Sequence, residues 1–216
     1  MYLPKILIKM RGAIFMLLVS GLLSMQSDAK YQDICAQIIV DKNKKTTNKI
    51  LSENYLFTTL VHHIFPHWEG TKWDFNGISN QPQNGEIACG YFVSTTLKHI
   101  GFNLNRYKTA QQAAAVIIKV LCGNQYSVFK DKNLAIEELK KHPNTLFVVG
   151  LDYHVGYLAN IEGEIYFIHS DYFNGKVVKE LAEESIGFSA TKSYYIGIIS
   201  KNEQLIHKWK NYEKIY

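Results

Sequence analysis

The chain has 216 residues and a mass of 24.8 kDa, enough for one domain with a substantial core. Hydrophobic residues make up 47% of it and charged residues 20%, which excludes disordered, collagen-like and coiled-coil proteins. The net charge of +5 is spread along the chain rather than clustered, so no nucleic-acid partner is expected.

Residues 1–29 have the features of a secretory signal peptide. Basic residues precede an uncharged apolar run, residues 12–23, and small residues follow at Ser27 and Ala29. We expect cleavage after Ala29 and export of the domain formed by residues 30–216, into the periplasm or the medium. The apolar run is shorter than the roughly twenty residues that cross a bilayer, so stable membrane insertion after cleavage is not expected.

After the signal peptide, the chain predicts helices first and strands second. Helical periodicity covers residues 31–40, 50–64, 89–101, 110–121 and 133–141, and the strand-like runs are residues 146–151, 154–160, 164–170 and 194–200. The lysine-rich residues 41–49 and the Gly-, Asn- and Pro-containing residues 69–86 are typical of loops. Helices followed by an antiparallel sheet make a single α+β domain.

Three cysteines remain after export, and this odd number predicts one pair and one free thiol. Cys35 and Cys122 lie in apolar segments and are either disulfide partners or separate core residues. No metal site is predicted, since the chain has no CxxC motif. Pro66 would also break the helix that His63 and His67 need to reach one metal.

Cys89 is the candidate nucleophile. It follows a flexible loop and opens a predicted helix, where free N–H groups and the positive end of the helix dipole favour a thiolate. Val93, Leu97 and Ile100 continue the same helix face, so the thiol lies at the top of the buried side and points toward the sheet.

Two histidines lie on the strands of a predicted hairpin. With residues 162–163 as a two-residue turn, Gly156 faces His169 and Asp171 faces His154. His154 and His169 are then diagonal neighbours, within reach of a side-chain hydrogen bond.

A thiol, an imidazole and a second orienting group form the arrangement that activates a nucleophile. We expect His154 to hold the Cys89 thiolate as an ion pair and later to protonate a leaving amine. His169 is the expected orienting residue, and Asp171 is the alternative third member.

Three segments resemble the NlpC-type cell-wall cysteine peptidases. Residues 89–106 (CGYFVSTTLKHIGFNLNR) resemble the catalytic helix of that family, although Gly90 stands where the family has Ser and Ala88 where it has Asp. The strings HVGYL from His154 and FIHS around His169 resemble the family's paired strands. The segment WDFNG, which begins at Trp73, occupies the place of a substrate-site loop.

The resemblance implies a papain-like, NlpC-type α+β fold and a cysteine peptidase or amidase. The expected substrate is a peptide or peptidoglycan fragment, cleaved at an amide bond in the stem peptide. Cys89 would be the nucleophile, His154 the base and His169 its orienting partner, Trp73 would bind substrate, and no cofactor is implied. The competing expectations are a non-catalytic cell-envelope binding module and an exported amidase toxin or effector.

Overall fold

The computed structural model describes residues 30–215, so the predicted signal peptide lies outside the described residues. Within this range no helix is long and apolar enough to cross a membrane. The α+β class is confirmed, because helices pack against an antiparallel sheet.

Helices and strands are numbered separately, each in chain order. The helices are α1 (residues 30–45), α2 (Lys49–Thr58), a π-helical segment (Thr59–Ile64), α3 (Phe65–Trp68), α4 (Cys89–His99), α5 (Arg106–Ala110), α6 (Ala114–Cys122), α7 (Lys132–Lys140), α8 (Ile186–Ser189) and α9 (Glu203–Lys210). The strands are β1 (Asn103–Leu104), β2 (Tyr126–Phe129), β3 (Thr145–Gly150), β4 (Val155–Ile161), β5 (Glu164–Asp171), β6 (Lys176–Leu181), β7 (Tyr194–Ile198) and β8 (Lys214–Ile215).

The main sheet has the strand order β2-β7-β3-β4-β5-β6, with antiparallel neighbours throughout, and β1 and β8 form a separate parallel pair. Both faces of the main sheet are covered, because alternate residues of a strand point to opposite sides. Tyr157 and Ile168 join one core, which includes residues of α4 and α6. Leu158 and Phe167 join a second core, to which α7 and α8 contribute.

The hairpin of β4 and β5 has the predicted two-residue turn. Ile161 pairs with Glu164. The two residues between them, Glu162 and Gly163, have positive φ angles of 54° and 92°, as a type I′ turn requires. The predicted hairpin register is therefore confirmed.

Two expectations about the N-terminal helices are wrong. The lysine-rich residues 41–49 are mostly helical rather than a solvated loop, because Lys42 is buried and its Nζ donates to the carbonyl of Trp209 at 2.6 Å. Pro66 does not end the helical run. A π-helical segment precedes it, and Pro66 lies in the first turn of α3, where a missing N–H costs least.

The two cysteines left open by the sequence are both free thiols. Cys122 is buried on α6, close to Gly197 of β7, and Cys35 lies on α1 in contact with the first core. The sequence left a disulfide and separate core residues as alternatives for Cys35 and Cys122. The structure shows separate thiols, one in the first core and one packed against it.

We predict three free thiols in the unreduced, purified protein. Cys35 and Cys122 lie on different helices and are both free thiols, so oxidising conditions should leave both available to a thiol reagent after unfolding. Mass spectrometry after labelling in denaturant without reductant measures the number. A count of one would contradict the packing of both residues.

Helix α4 passes close to the end of α5 at Gly90. A Cβ at this position would overlap the backbone carbonyl of Ala110 and lie 3.1 Å from its carbonyl carbon. This contact gives a physical reason for glycine where the resembling family has serine.

Gly90→Ser should therefore lower the free energy of unfolding by about 1–3 kcal/mol, because backbone atoms must move to admit the side chain. Ala88→Asp, the matched change, should raise it by about 0.5–2 kcal/mol. Ala88 is the N-cap of α4, with extended backbone and no capping side chain. Urea denaturation measures both changes, and an unaltered Gly90→Ser protein would contradict the close approach of α4 and α5.

Candidate active site

A cleft of about 620 Å³ opens where β4 begins and α4 begins. Three predicted site residues, Cys89, His154 and Trp73, line it. The other lining residues are uncharged: Phe75, Asn76, Ile78, Ala88, Gly90, Tyr91, Ala110, Gln111, Tyr153 and Tyr172. The structure thus places the candidate nucleophile and the candidate base in one solvent-accessible space.

Two strands of the sheet hold α4, the helix that begins at Cys89. Tyr157 of β4 donates its hydroxyl to the carbonyl of Val93 at 3.0 Å and lies 2.8 Å from the Thr96 hydroxyl. Ser170 of β5 donates to the carbonyl of Ile87, two residues before the nucleophile, at 2.6 Å. The start of α4 is therefore fixed to the same two strands that carry the histidines.

The loop that carries Trp73 is held by a buried arginine. Arg106 donates to the carbonyls of Ile78 and Ser79 at 2.8 and 2.9 Å. The ring of Trp73 contacts that of Tyr172 at a centroid distance of 6.0 Å, on the wall of the cleft. Arg106, at the start of α5, thus supports the cleft from behind and adds no charge to its lining.

The two histidines are joined as the hairpin register predicts. Nε2 of His154 lies 2.8 Å from Nδ1 of His169. His169 is fully buried, and its ring stacks on Phe167 at 3.8 Å between centroids. A Cβ on the facing Gly156 would lie 2.8 Å from the Cβ of His169, so glycine leaves the space that His169 occupies.

The alternative third residue, Asp171, has a different role in the structure. Its carboxylate accepts the backbone N–H groups of Phe173 and Asn174 at 3.1 and 2.9 Å, which closes the turn after β5. Its Oδ1 lies 4.0 Å from Nδ1 of His169, beyond hydrogen-bond distance. His169, not Asp171, contacts His154.

Glu180 is a site residue that the sequence analysis missed. Its Oε1 lies 3.2 Å from Nε2 of His169. The hydrogen bond from His169 is the largest effect on this carboxyl group and holds the pKa of Glu180 below its usual value. No signal near Glu180 in the sequence points to this contact, because it depends on the pairing of β5 with β6, and β6 was not predicted.

Cys89 and His154 share the cleft, but in the described part of the chain no hydrogen bond joins their side chains. Helix α4 packs on the first core. By the alternation along β4, His154 lies on the side of the second core, at the end of the sheet. The backbone N–H of Val155, the residue after His154, acts on the Cys89 thiol and favours a lower pKa.

Burial determines the charge states of both groups. Burial raises the pKa of Cys89 above its usual value, against the smaller opposite effect of backbone N–H groups. Burial, followed by the neighbouring His169, lowers the pKa of His154 to about 3. Both shifts favour a neutral thiol beside a neutral imidazole in the free protein, rather than the expected thiolate–imidazolium pair.

Alkylation of Cys89 by iodoacetamide should accelerate about tenfold for each pH unit between pH 5 and pH 8. The reactive thiolate is a minor form below a raised pKa, and its fraction grows in that proportion. Intact-mass measurements on the native protein give the rate, with Cys89→Ala as the control for the other thiols. Those thiols should react later, since burial raises the pKa of Cys35 to about 11 and that of Cys122 to about 12. A rate that is constant through the acidic range would contradict the neutral pair.

Comparison with known proteins adds no family to this geometry. No family model matches the chain, and neither the curated proteins nor the solved structures contain a match. Among residues 30–215, no group of three or more His, Cys, Asp or Glu side chains is arranged to hold a metal ion.

Proposed function

We propose that this chain is an exported thiol hydrolase with a papain-like, NlpC-type fold that cleaves an amide bond. Cys89 is the nucleophile, His154 the general base and His169 the residue that orients it. The proposed substrate is a peptide or peptidoglycan fragment, cut in the stem peptide. The single observation that carries this proposal is that Cys89 and His154 line one cleft while His169 holds His154 from behind at 2.8 Å.

The neutral resting pair supports a general-base mechanism. The Cys89 sulfur bonds to the substrate carbonyl carbon as its proton passes to the imidazole of His154. The imidazolium then gives this proton to the departing nitrogen as the C–N bond breaks, which leaves a thioester and a free amine. Water resolves the thioester, with His154 again taking and returning a proton, and releases the acid.

The start of α4 supplies donors for the charge that develops on the carbonyl oxygen. Ala88 provides no side-chain cap, so the first backbone N–H groups of the helix, including that of Cys89, lie beside the reacting atoms. A hydrogen bond between Cys89 and His154 is required only once substrate is bound, as in many thiol and serine hydrolases whose contacts tighten on binding.

The cleft lining supports a neutral substrate segment around the scissile bond. Aromatic side chains project at its mouth, with Tyr153 97% exposed and Phe75 79% exposed. Such rings pack well against alanine methyl groups and the apolar faces of sugar rings. Peptidoglycan offers both kinds of group beside its amide bonds.

A non-catalytic binding module is the second candidate. The missing hydrogen bond between Cys89 and His154, together with the raised pKa of Cys89, favours it. The same exposed aromatic residues would then hold a cell-envelope fragment without cleaving it. The two candidates differ in what the loss of the thiol changes: an enzyme loses turnover, whereas a binding module keeps its affinity and has no turnover to lose.

Cys89→Ala should abolish release of amine from purified peptidoglycan, and His154→Ala should lower kcat about 10²–10⁴-fold, because each removes a reacting group. His169→Ala should lower kcat with little change in KM, since His169 orients the base without touching substrate. The assay is mass spectrometry of released fragments, followed by kinetics on a synthetic stem peptide.

Asp171→Asn is the matched control and should retain near wild-type kcat, because its carboxylate closes a turn. Full activity in Cys89→Ala would end the proposal. If Asp171→Asn lost most of its kcat while His169→Ala kept a normal kcat, Asp171 and not His169 would be the residue that orients His154. Binding without turnover in the wild type would favour the binding module.

A further inference from the structure

A line of polar side chains crosses three neighbouring strands on one face of the sheet. His154 stands at the start of β4, His169 on β5 and Glu180 on β6, each diagonal to the next. The line is continuous, with 2.8 Å from His154 Nε2 to His169 Nδ1 and 3.2 Å from His169 Nε2 to Glu180 Oε1. Both ring nitrogens of His169 are therefore engaged.

The carboxylate at one end determines where each proton must lie. An ionised Glu180 can only accept a hydrogen bond, so the nitrogen of His169 that faces it, Nε2, carries the proton. In a neutral His169 the other nitrogen, Nδ1, is then an acceptor. His154 must donate to it through Nε2–H, which leaves Nδ1 of His154 without a proton.

Among residues 30–215, the ring of His169 has no hydrogen-bond donor other than His154 in reach. The ring is fully buried between Phe167 and the backbone of Gly187. The nearest other charged group is the Asp171 carboxylate, an acceptor whose Oδ1 lies 4.0 Å from Nδ1. Ser185 also acts on the Glu180 carboxyl group in the direction that favours its ionised form.

We propose that Glu180 is a positioning residue that sets the tautomers of His169 and His154, so that His154 presents an unprotonated Nδ1 to the cleft. This inference rests on the proposed function for its catalytic meaning, because Nδ1 is the atom that would take the proton of Cys89. Its structural content, the two tautomers, stands independently of any turnover.

Nitrogen-15 NMR of the full chain, labelled at histidine, tests the tautomers directly. Peaks are assigned by their loss in His154→Gln and His169→Gln. The wild type should show Nε2–H and unprotonated Nδ1 for both rings at pH 7. Glu180→Gln should disturb this, because the amide can donate as well as accept and so permits the opposite tautomer.

Glu183→Gln is the control, since it removes an equal charge from an exposed carboxylate that pairs with Lys140 at 2.8 Å. It should leave both histidine tautomers unchanged. A wild-type His154 with its proton on Nδ1 would overturn the proposal without any variant, so it stays testable even if Glu180→Gln fails to fold. A folded Glu180→Gln with wild-type tautomers would overturn it as well.

Kinetics provide the second readout on the same variants. Glu180→Gln should lower kcat about ten- to a hundredfold with KM nearly unchanged, a part of the full general-base contribution of 10²–10⁴. Glu183→Gln should change neither constant. If the wild type shows the expected tautomers but hydrolyses no amide, the proposed function fails while the role of Glu180 in setting the tautomers stands.

Discussion

A change of one residue in the turn between β4 and β5 would place His154 and His169 on opposite faces of the sheet. The hydrogen bond between the two imidazoles therefore depends on the type I′ turn, whose positive φ angles at Glu162 and Gly163 fix the register. The hydrogen bond also requires a glycine at position 156, since a larger residue there would displace the side chain of His169. The relative position of the two imidazoles is therefore determined by this hairpin.

The hairpin also couples the histidines to the thiol. Tyr157 and Ser170 hold α4 and the segment before it, and both lie on the strands that carry His154 and His169. Because side chains alternate, the strands direct these holding contacts to one side and the imidazoles to the other. Cys89 and His154 then both line the cleft that opens at the end of the sheet.

The sequence predicted those features that depend on strong local patterns. The β4–β5 hairpin and the start of α4 at Cys89 have clear periodicity and turn chemistry, and they are found as expected. Strand β6 was not predicted, because it is an edge strand with one well-buried side chain, Val177, among lysines and a glutamate. Glu180 could not be recognised without that strand. The helical Lys42 was mistaken for loop because its buried stem cannot be inferred from its charge.

The uncharged lining of the cleft has a consequence for how substrate arrives. The net charge, +5 for the whole chain and about +3 without residues 1–29, arises from residues outside this lining, and Arg106 beside the cleft is committed to backbone carbonyls. Long-range attraction to an acidic polymer would thus act on the protein as a whole and weaken as salt screens it. Entry of the reacting segment into the cleft would depend on shape and apolar contact, and so be nearly independent of ionic strength. If the proposed hydrolysis holds, the protein would be concentrated on a charged surface while its choice of bond stayed insensitive to that charge.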